Sequence, residues 1–175
     1  MPKEKKEIQK QDIMPLDVYL KRRKELRKNI IEFKKNRRVA LGPYATFYFE
    51  SFETMLAQVQ EMLYIEKGGD DQLKDELTAY NPLIPGGKEL VATLMFEIDS
   101  PVSRAAFLGK VGGIEDKVFM KIDGDIVKAA PEKDVDRTSS EGKASSVQFI
   151  HFKFNDKQIE KFKSGSLNVE IGINH

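Results

Sequence analysis

The period of the apolar residues changes along this chain, and that change limits the folds it can adopt. Between residues 52 and 63, apolar side chains recur every three or four positions, which is typical of an amphipathic helix. Between residues 167 and 173 they occur at every second position, which is typical of a strand. The strand-like segments are separated by turns rather than by repeated long helices, which favours antiparallel pairing. The sequence therefore predicts an α+β protein, with N-terminal helices packed on a mainly antiparallel C-terminal sheet or small sandwich.

The length sets the expected number of domains. A chain of 175 residues is typical of one domain. Residues 1–11 are rich in Lys, Glu and Gln and offer little surface to bury, so we expect a flexible tail there. We expect residues 12–175 to form a single α+β domain, helical over about 12–87 and β over about 88–175.

Local signals place individual elements within this plan. Pro15 suits helix entry and precedes a first helix predicted over about residues 16–36. Ser51 can cap a second helix, and the Asp-Gly pair at positions 123–124 favours a tight turn between two strands. The apolar pattern predicts a set of core residues: Phe52, Met55, Val59, Met62, Phe96, Phe152 and Ile171.

Several kinds of site are excluded or disfavoured by what the sequence lacks. The absence of cysteine excludes disulfides and thiolate metal ligands. No P-loop, dinucleotide-binding glycine motif or nucleophile elbow occurs. His175 is the final residue, and His151 lies in a strand pattern where a histidine with structural partners is expected. We therefore predict neither a metal site nor a cofactor.

The N-terminus and the hydropathy indicate where the protein works. Residues 1–10 are charged and are followed by no apolar stretch, so a secretory signal is not expected. No run of about 18 apolar residues is present, so membrane insertion is not expected either. These observations favour a cytoplasmic protein.

The charge is distributed unevenly along the chain. Residues 1–38 carry 14 basic and 6 acidic side chains, a net charge of +8, whereas residues 39–175 have a net charge of −7. The first helix therefore presents a basic docking face that suits an acidic partner. We assign four residues to this face: Lys21, Lys24, Lys28 and Lys35. Nucleic-acid binding through the same helix is less favoured, because aromatic residues are not interleaved with the basic ones and the remainder is acidic.

A second group of polar residues forms a candidate pocket or anion site. Its members are Arg37, Arg38, Glu50, Gln58, Glu61, Tyr80 and Asn81. The two arginines could hold a carboxylate or phosphate, because a guanidinium donates two parallel hydrogen bonds. Glu61 could then act as a general base. The alternative interpretation is structural, with Glu61 in a buried salt bridge to Arg37 or Arg38.

Four segments carry a resemblance to a known family. They read DIMPL at 12–16, RRVALGP at 37–43, QVQEML at 58–63 and YNPLIPGG at 80–87. They resemble a bacterial family known as a domain of unknown function, whose members tend to be encoded near rubrerythrin-like proteins and iron–sulfur oxidoreductases. The likeness covers residues 12–98 well and the β half loosely. It implies a setting of oxidative stress or electron transfer, with one of those proteins as a possible partner.

These observations leave three hypotheses for function. The first is a cytoplasmic accessory or interaction protein that serves a redox or oxidative-stress system and docks an acidic partner. The second is a small-molecule- or metal-binding enzyme with an Arg- and Glu-lined pocket. The third is nucleic-acid binding through the basic first helix.

Overall fold

A computed structural model describes residues 5–132 and 144–175 of the chain. Within these residues lie five α-helices: α1 Leu16–Lys34, α2 Phe52–Glu66, α3 Gly69–Tyr80, α4 Pro101–Lys110 and α5 Asp156–Ser164. They also contain eight strands: β1 Arg38–Leu41, β2 Ala45–Phe49, β3 Glu89–Phe96, β4 Val118–Ile122, β5 Asp125–Lys128, β6 Ala130–Pro131, β7 Val147–Lys153 and β8 Val169–Ile173. The strand pairs whose register is defined are antiparallel. The predicted α+β class is confirmed.

The chain divides into two compact units. The helical unit contains the chain up to Arg38 together with Glu50–Gly86, and the sheet unit contains Val39–Phe49 together with the chain from Gly87 onward. Residues 39–49 thus group with the later strands, although they lie in the part predicted to be helical. That the whole forms a single domain stays a prediction.

The helical unit is built from α1, α2 and α3. Ser51 caps α2 by accepting a hydrogen bond from the Thr54 backbone N–H, as its position before the apolar pattern predicted. Lys67 ends the helix in the left-handed conformation, at φ 53°. Met55 and Val59 are buried on the inner face of α2, and both were predicted core residues.

The segment before α1 is part of the helical unit. Ile8 is 1% exposed, and its backbone N–H and C=O both bond to the side chain of Asn81. The flexible tail predicted for residues 1–11 stays a prediction, and residues 1–4 lie outside the described part. Lys10 adds an ion pair with Asp70, and no sequence pattern marks either of these distant contacts.

The sheet unit contains two antiparallel sheets that share one hydrophobic core. The first has the strand order β1-β2-β3-β7-β6 and the second the order β5-β4-β8. Phe47, Ile150 and Phe152 from the first sheet and Val118 and Ile122 from the second are almost fully buried in this core. The burial of one such side chain stabilises the folded state by about 1.5–3 kcal/mol.

Two glycines of the second sheet are constrained, Gly124 by its backbone conformation and Gly172 by packing. Asp123 and Gly124 form the predicted turn between β4 and β5 with φ values of 48° and 87°, the left-handed conformation that this turn requires. Gly172 in β8 lies opposite Phe119. An added Cβ at Gly172 would lie 2.6 Å from Cζ of the Phe119 ring. Packing against this ring, and not the backbone angle, therefore favours glycine at position 172.

Some elements differ from the sequence predictions. No helix was predicted over residues 101–110, where α4 is capped by Ser100 and begins with Pro101. Phe96 and Phe152 are buried as predicted, whereas Phe52, Met62 and Ile171 are only half-buried. Among the described residues, no helix is long and apolar enough to cross a membrane.

Candidate functional site

A cluster of polar side chains joins α1 to α2 in the helical unit. The hydroxyl of Tyr19 donates to Oε2 of Glu61 at 2.6 Å. Arg23 donates from Nε to the same oxygen at 3.1 Å and from Nη2 to Oε1. Tyr19 and Arg23 are four residues apart, so both side chains leave the same face of α1. The carboxylate of Glu61 is therefore held by three donors from one neighbouring helix.

The cluster shifts the titration of its members. The hydrogen bond from Arg23 lowers the pKa of Glu61, with a further contribution from Tyr19, and these outweigh the opposing effect of burial. Burial and the adjacent Glu61 carboxylate raise the pKa of Tyr19 to about 12. Glu61 is thus held as a carboxylate and Tyr19 as a neutral phenol near neutral pH, a state suited to a structural ion pair rather than to proton transfer.

An aromatic ring completes the cluster. The guanidinium of Arg23 lies 4.2 Å from the centroid of the Tyr64 ring, and Tyr19 meets the same ring edge-on at 6.1 Å. Arg23 is consequently fixed between a carboxylate and a ring.

The prediction that Glu61 forms a salt bridge with Arg37 or Arg38 is wrong, because its partner is another arginine. Glu61 pairs with Arg23, which projects from the middle of α1. Arg37 lies in a 3₁₀ turn beyond the end of α1, where its guanidinium stacks 4.8 Å from the Phe33 ring centroid. Arg38 is exposed and begins β1. The helix ends earlier than predicted, and both arginines therefore lie past its packed face.

The other predicted site residues do not form one cluster, and they bond to different partners. Glu50 is buried and accepts a hydrogen bond from the hydroxyl of Thr54. Gln58 donates to the Tyr80 hydroxyl at 3.4 Å, so these two candidates do meet. Asn81 forms its two bonds with the Ile8 backbone. The structure brings Gln58 and Tyr80 together and gives Glu61 and Asn81 other partners.

The cavity between α1 and α2 is the feature that the sequence analysis missed. Its volume is about 440 Å³, within the range of about 300–1,000 Å³ typical of small-molecule sites. Apolar side chains from both helices line it: Leu26, Ile30 and Phe33 from α1, and Leu56 and Ala57 from α2. Gln58 and Glu61 lie on its wall. The spacing of Leu26, Ile30 and Phe33 signals an apolar face, but a sequence does not show whether that face is filled.

Gln60 also has a role that the sequence did not indicate. It is buried, its side-chain oxygen accepts from the Met14 backbone N–H at 2.8 Å, and its side-chain nitrogen donates to the Met14 carbonyl at 3.0 Å. This pair of bonds anchors the chain that leads into α1. Both partners lie within segments that the motif resemblance covers, at positions 14 and 60.

The four lysines assigned to the basic docking face are exposed, and their docking role stays a prediction. Lys21, Lys24 and Lys28 are exposed on α1, and Lys35 is exposed in the turn that follows. Lys35 pairs with Glu32 at 2.6 Å. Within the described part of the chain, the other three lysines form no ion pair.

No cluster of metal ligands is formed by the described residues. In residues 5–132 and 144–175, no three His, Cys, Asp or Glu side chains are grouped so as to hold a metal ion. His151 is buried, and its ring nitrogens contact carboxylates of Glu89 and Glu132. This confirms that His151 has structural partners.

Fold and site together define an α+β protein with a helical unit that carries an exposed basic face and an apolar cavity. The chain belongs to the family described as "Protein of unknown function (DUF3501)", whose model matches residues 7–175. This confirms the resemblance to a family of unknown function.

A solved structure supports the same assignment. The chain is similar to a novel protein of unknown function from Burkholderia pseudomallei K96243, whose crystal structure was determined at 1.90 Å resolution. The two are 36% identical and superpose with a TM-score of 0.88, over 96% of this chain and 87% of the other. No curated protein matches the chain.

Proposed function

We propose that this protein is a cytoplasmic accessory protein that docks an acidic protein partner through the lysine face of α1. The lysine face consists of Lys21, Lys24 and Lys28. One observation carries the proposal: these three cations share one exposed helix face and, among the described residues, have no anionic partner. Positions 21, 24 and 28 are three and seven residues apart, so they lie in a row along the helix.

The lysine face points away from the residues that hold α1 in place. Tyr19, which is buried against α2, lies two residues before Lys21, about 200° away around the helix. Replacing the lysines therefore leaves the Glu61 cluster and the cavity untouched. The three lysines therefore lie on the side of α1 opposite Tyr19, where a partner can reach them, and Lys24 and Lys28 adjoin Arg23 and Tyr64.

Apolar surface accompanies the charge. Leu20 and Ile31 are 52% and 60% exposed on α1. They line a groove with Lys24, Lys28 and Tyr64. Protein interfaces combine such an apolar centre with a charged rim, and the charge mainly accelerates and orients association. The pattern suits an acidic protein surface that also carries apolar residues.

The identity of the partner follows from the family resemblance described above. That resemblance implies a rubrerythrin-like protein or an iron–sulfur oxidoreductase, and hence a role in oxidative stress or electron transfer. This protein would supply the docking surface. Nucleic acid is disfavoured as the partner, because the chain beyond residue 38 has a net charge of −7 and would repel phosphates.

The test is a binding titration with purified partners. The wild-type protein is titrated into a rubrerythrin-like protein and into an iron–sulfur oxidoreductase by calorimetry, at low and high salt. A triple variant, Lys21→Glu, Lys24→Glu and Lys28→Glu, should weaken binding by about tenfold or more and remove its salt dependence.

A matched control changes the same charge elsewhere. Lys74, Lys110 and Lys157 are exposed, and none of them has an ion pair in the described part of the chain. The triple variant Lys74→Glu, Lys110→Glu and Lys157→Glu should retain binding. Equal loss in both variants would show that net charge alone is responsible and would reject the lysine face. Retention of double-stranded DNA, lost only with the lysine-face variant, would favour nucleic-acid binding instead.

A further inference from the structure

The cavity between α1 and α2 is lined by apolar side chains that the protein leaves uncovered. Leu26, Ile30 and Leu56 are only half-buried, and Phe33 is 40% exposed. Ala57 contributes no more than a methyl group on the α2 side. A space lined in this way favours an apolar guest, because water in it would gain few hydrogen bonds.

The polar groups at the Glu61 end of the cavity already have partners. Glu61 is held by Tyr19 and Arg23, and Gln60 by the Met14 backbone. Asp12 accepts from Lys5 and from the Gln9 backbone. These groups therefore shape the wall, and the recognition of a ligand head group falls to other residues.

Two cations border the cavity without a hydrogen bond or ion pair of this kind, although the charge of Arg27 also acts on Glu61. Arg27 and Lys34 line it, and within the described residues neither forms an ion pair or a side-chain hydrogen bond. They are seven residues apart on α1, two turns along one face, with Ile30 between them. Glu53 is the lining carboxylate that likewise has no partner in the described part of the chain, so the surplus of unpartnered charge is positive.

We infer that this cavity binds a free small molecule that carries a carboxylate on an apolar chain. The chain lies on the apolar wall formed by Leu26, Ile30, Leu56 and Ala57. The carboxylate meets Arg27 or Lys34 at the edge. The volume of about 440 Å³ suits a small ligand rather than a folded partner. This inference does not depend on the docking proposal, although Arg27 borders both the cavity and the groove beside the lysine face.

The experiment compares two probes of opposite charge. Sodium decanoate and decyltrimethylammonium, each below its micelle-forming concentration, are titrated into the full chain by calorimetry. Decanoate should bind at a ratio of one per chain and at least about tenfold more tightly than the cationic probe, because only the anion pairs with Arg27 and Lys34. No decanoate binding, or equal binding of the two probes, would overturn the inference.

Two variants locate the binding. Ala57→Phe should fill the cavity and reduce decanoate affinity about tenfold or more, with circular dichroism showing that the fold is retained. If Ala57→Phe does not fold, the double variant Arg27→Ala and Lys34→Ala decides, since both residues are at the surface of α1. It should weaken decanoate about tenfold and leave the cationic probe unweakened.

The control uses two lysines on the other face of the same helix. The double variant Lys21→Ala and Lys28→Ala removes the same charge outside the cavity and should leave decanoate affinity unchanged. If this control loses affinity as much as the Arg27 and Lys34 variant does, decanoate binds to the basic surface and the cavity assignment is rejected.

Discussion

The helical unit and the sheet unit are stabilised by different interactions. The sheet unit buries a continuous set of apolar side chains from two sheets, several of them fully. The helical unit buries fewer large apolar residues and relies on side chains that bond distant backbone or charged groups, as Gln60 does with Met14 and Glu61 with Arg23. We therefore expect the sheet unit to be the more stable part of the molecule, and the lysine face and the cavity of the two proposals both lie in the helical unit.

The largest expected effect is in the core of the sheet unit. Phe152 is fully buried in β7, so Phe152→Ala should lower the free energy of unfolding by about 3–5 kcal/mol. Urea denaturation measures this change. Phe162→Ala serves as the control, because Phe162 is 38% exposed and its loss should cost clearly less. Equal effects of the two substitutions would contradict the assigned core.

In the helical unit, the substitution expected to lower the free energy of unfolding most is at a polar residue, Gln60. Gln60→Ala removes both bonds to Met14 and leaves backbone groups without partners, at a cost of about 1–3 kcal/mol. Hydrogen exchange should show faster exchange of the Met14 amide in the variant. Gln11→Ala is the control, since Gln11 is exposed and bonds only another side chain. An unchanged Met14 amide in the Gln60 variant would refute the anchor.

The sheet unit also buries a polar cluster around His151, which tests how strict the comparison is. His151 contacts Glu89 at 2.9 Å and also contacts Glu132, and all three are largely buried. His151→Leu should destabilise the protein by about 1–3 kcal/mol, because it removes partners from buried carboxylates. Denaturation of His175→Leu provides the reference, as His175 is the exposed final residue. A neutral or stabilising His151→Leu would show that this unit needs apolar packing alone.

The smallest effect concerns pH and the helical unit. Because the folded-state pKa of Glu61 is lowered below its ordinary value of 4.5, the ionised carboxylate stabilises the fold above that pH. This stabilisation is lost as the pH falls from 4.5 through the folded-state pKa. Glu61→Gln should cost about 1 kcal/mol near neutral pH and very little in acid. Denaturation at several pH values measures the difference, and a constant difference would disprove the ion pair's contribution.

The candidate site could be predicted only in part. Features that depend on residues close in sequence were predictable, whereas contacts between different helices were not. The lysine face was predicted because it depends on spacing within one helix, and its residues are exposed as expected. The partner of Glu61 was predicted wrongly, since the choice between Arg23 and Arg37 depends on where α1 ends. The cavity had no sequence signal, because it arises from a small Ala57 opposite an apolar face on another helix.

By itself the sequence determined the α+β class, the cap at Ser51, the turn at 123–124 and the absence of cysteine chemistry. These depend on periodicity, on backbone conformation and on composition, which act over a few residues. The tertiary structure decided that Ile8 is anchored by Asn81, that Gln60 holds Met14 and that a cavity remains between α1 and α2. Those features join residues up to 73 positions apart, and such pairings depend on packing in space, which a local pattern does not encode.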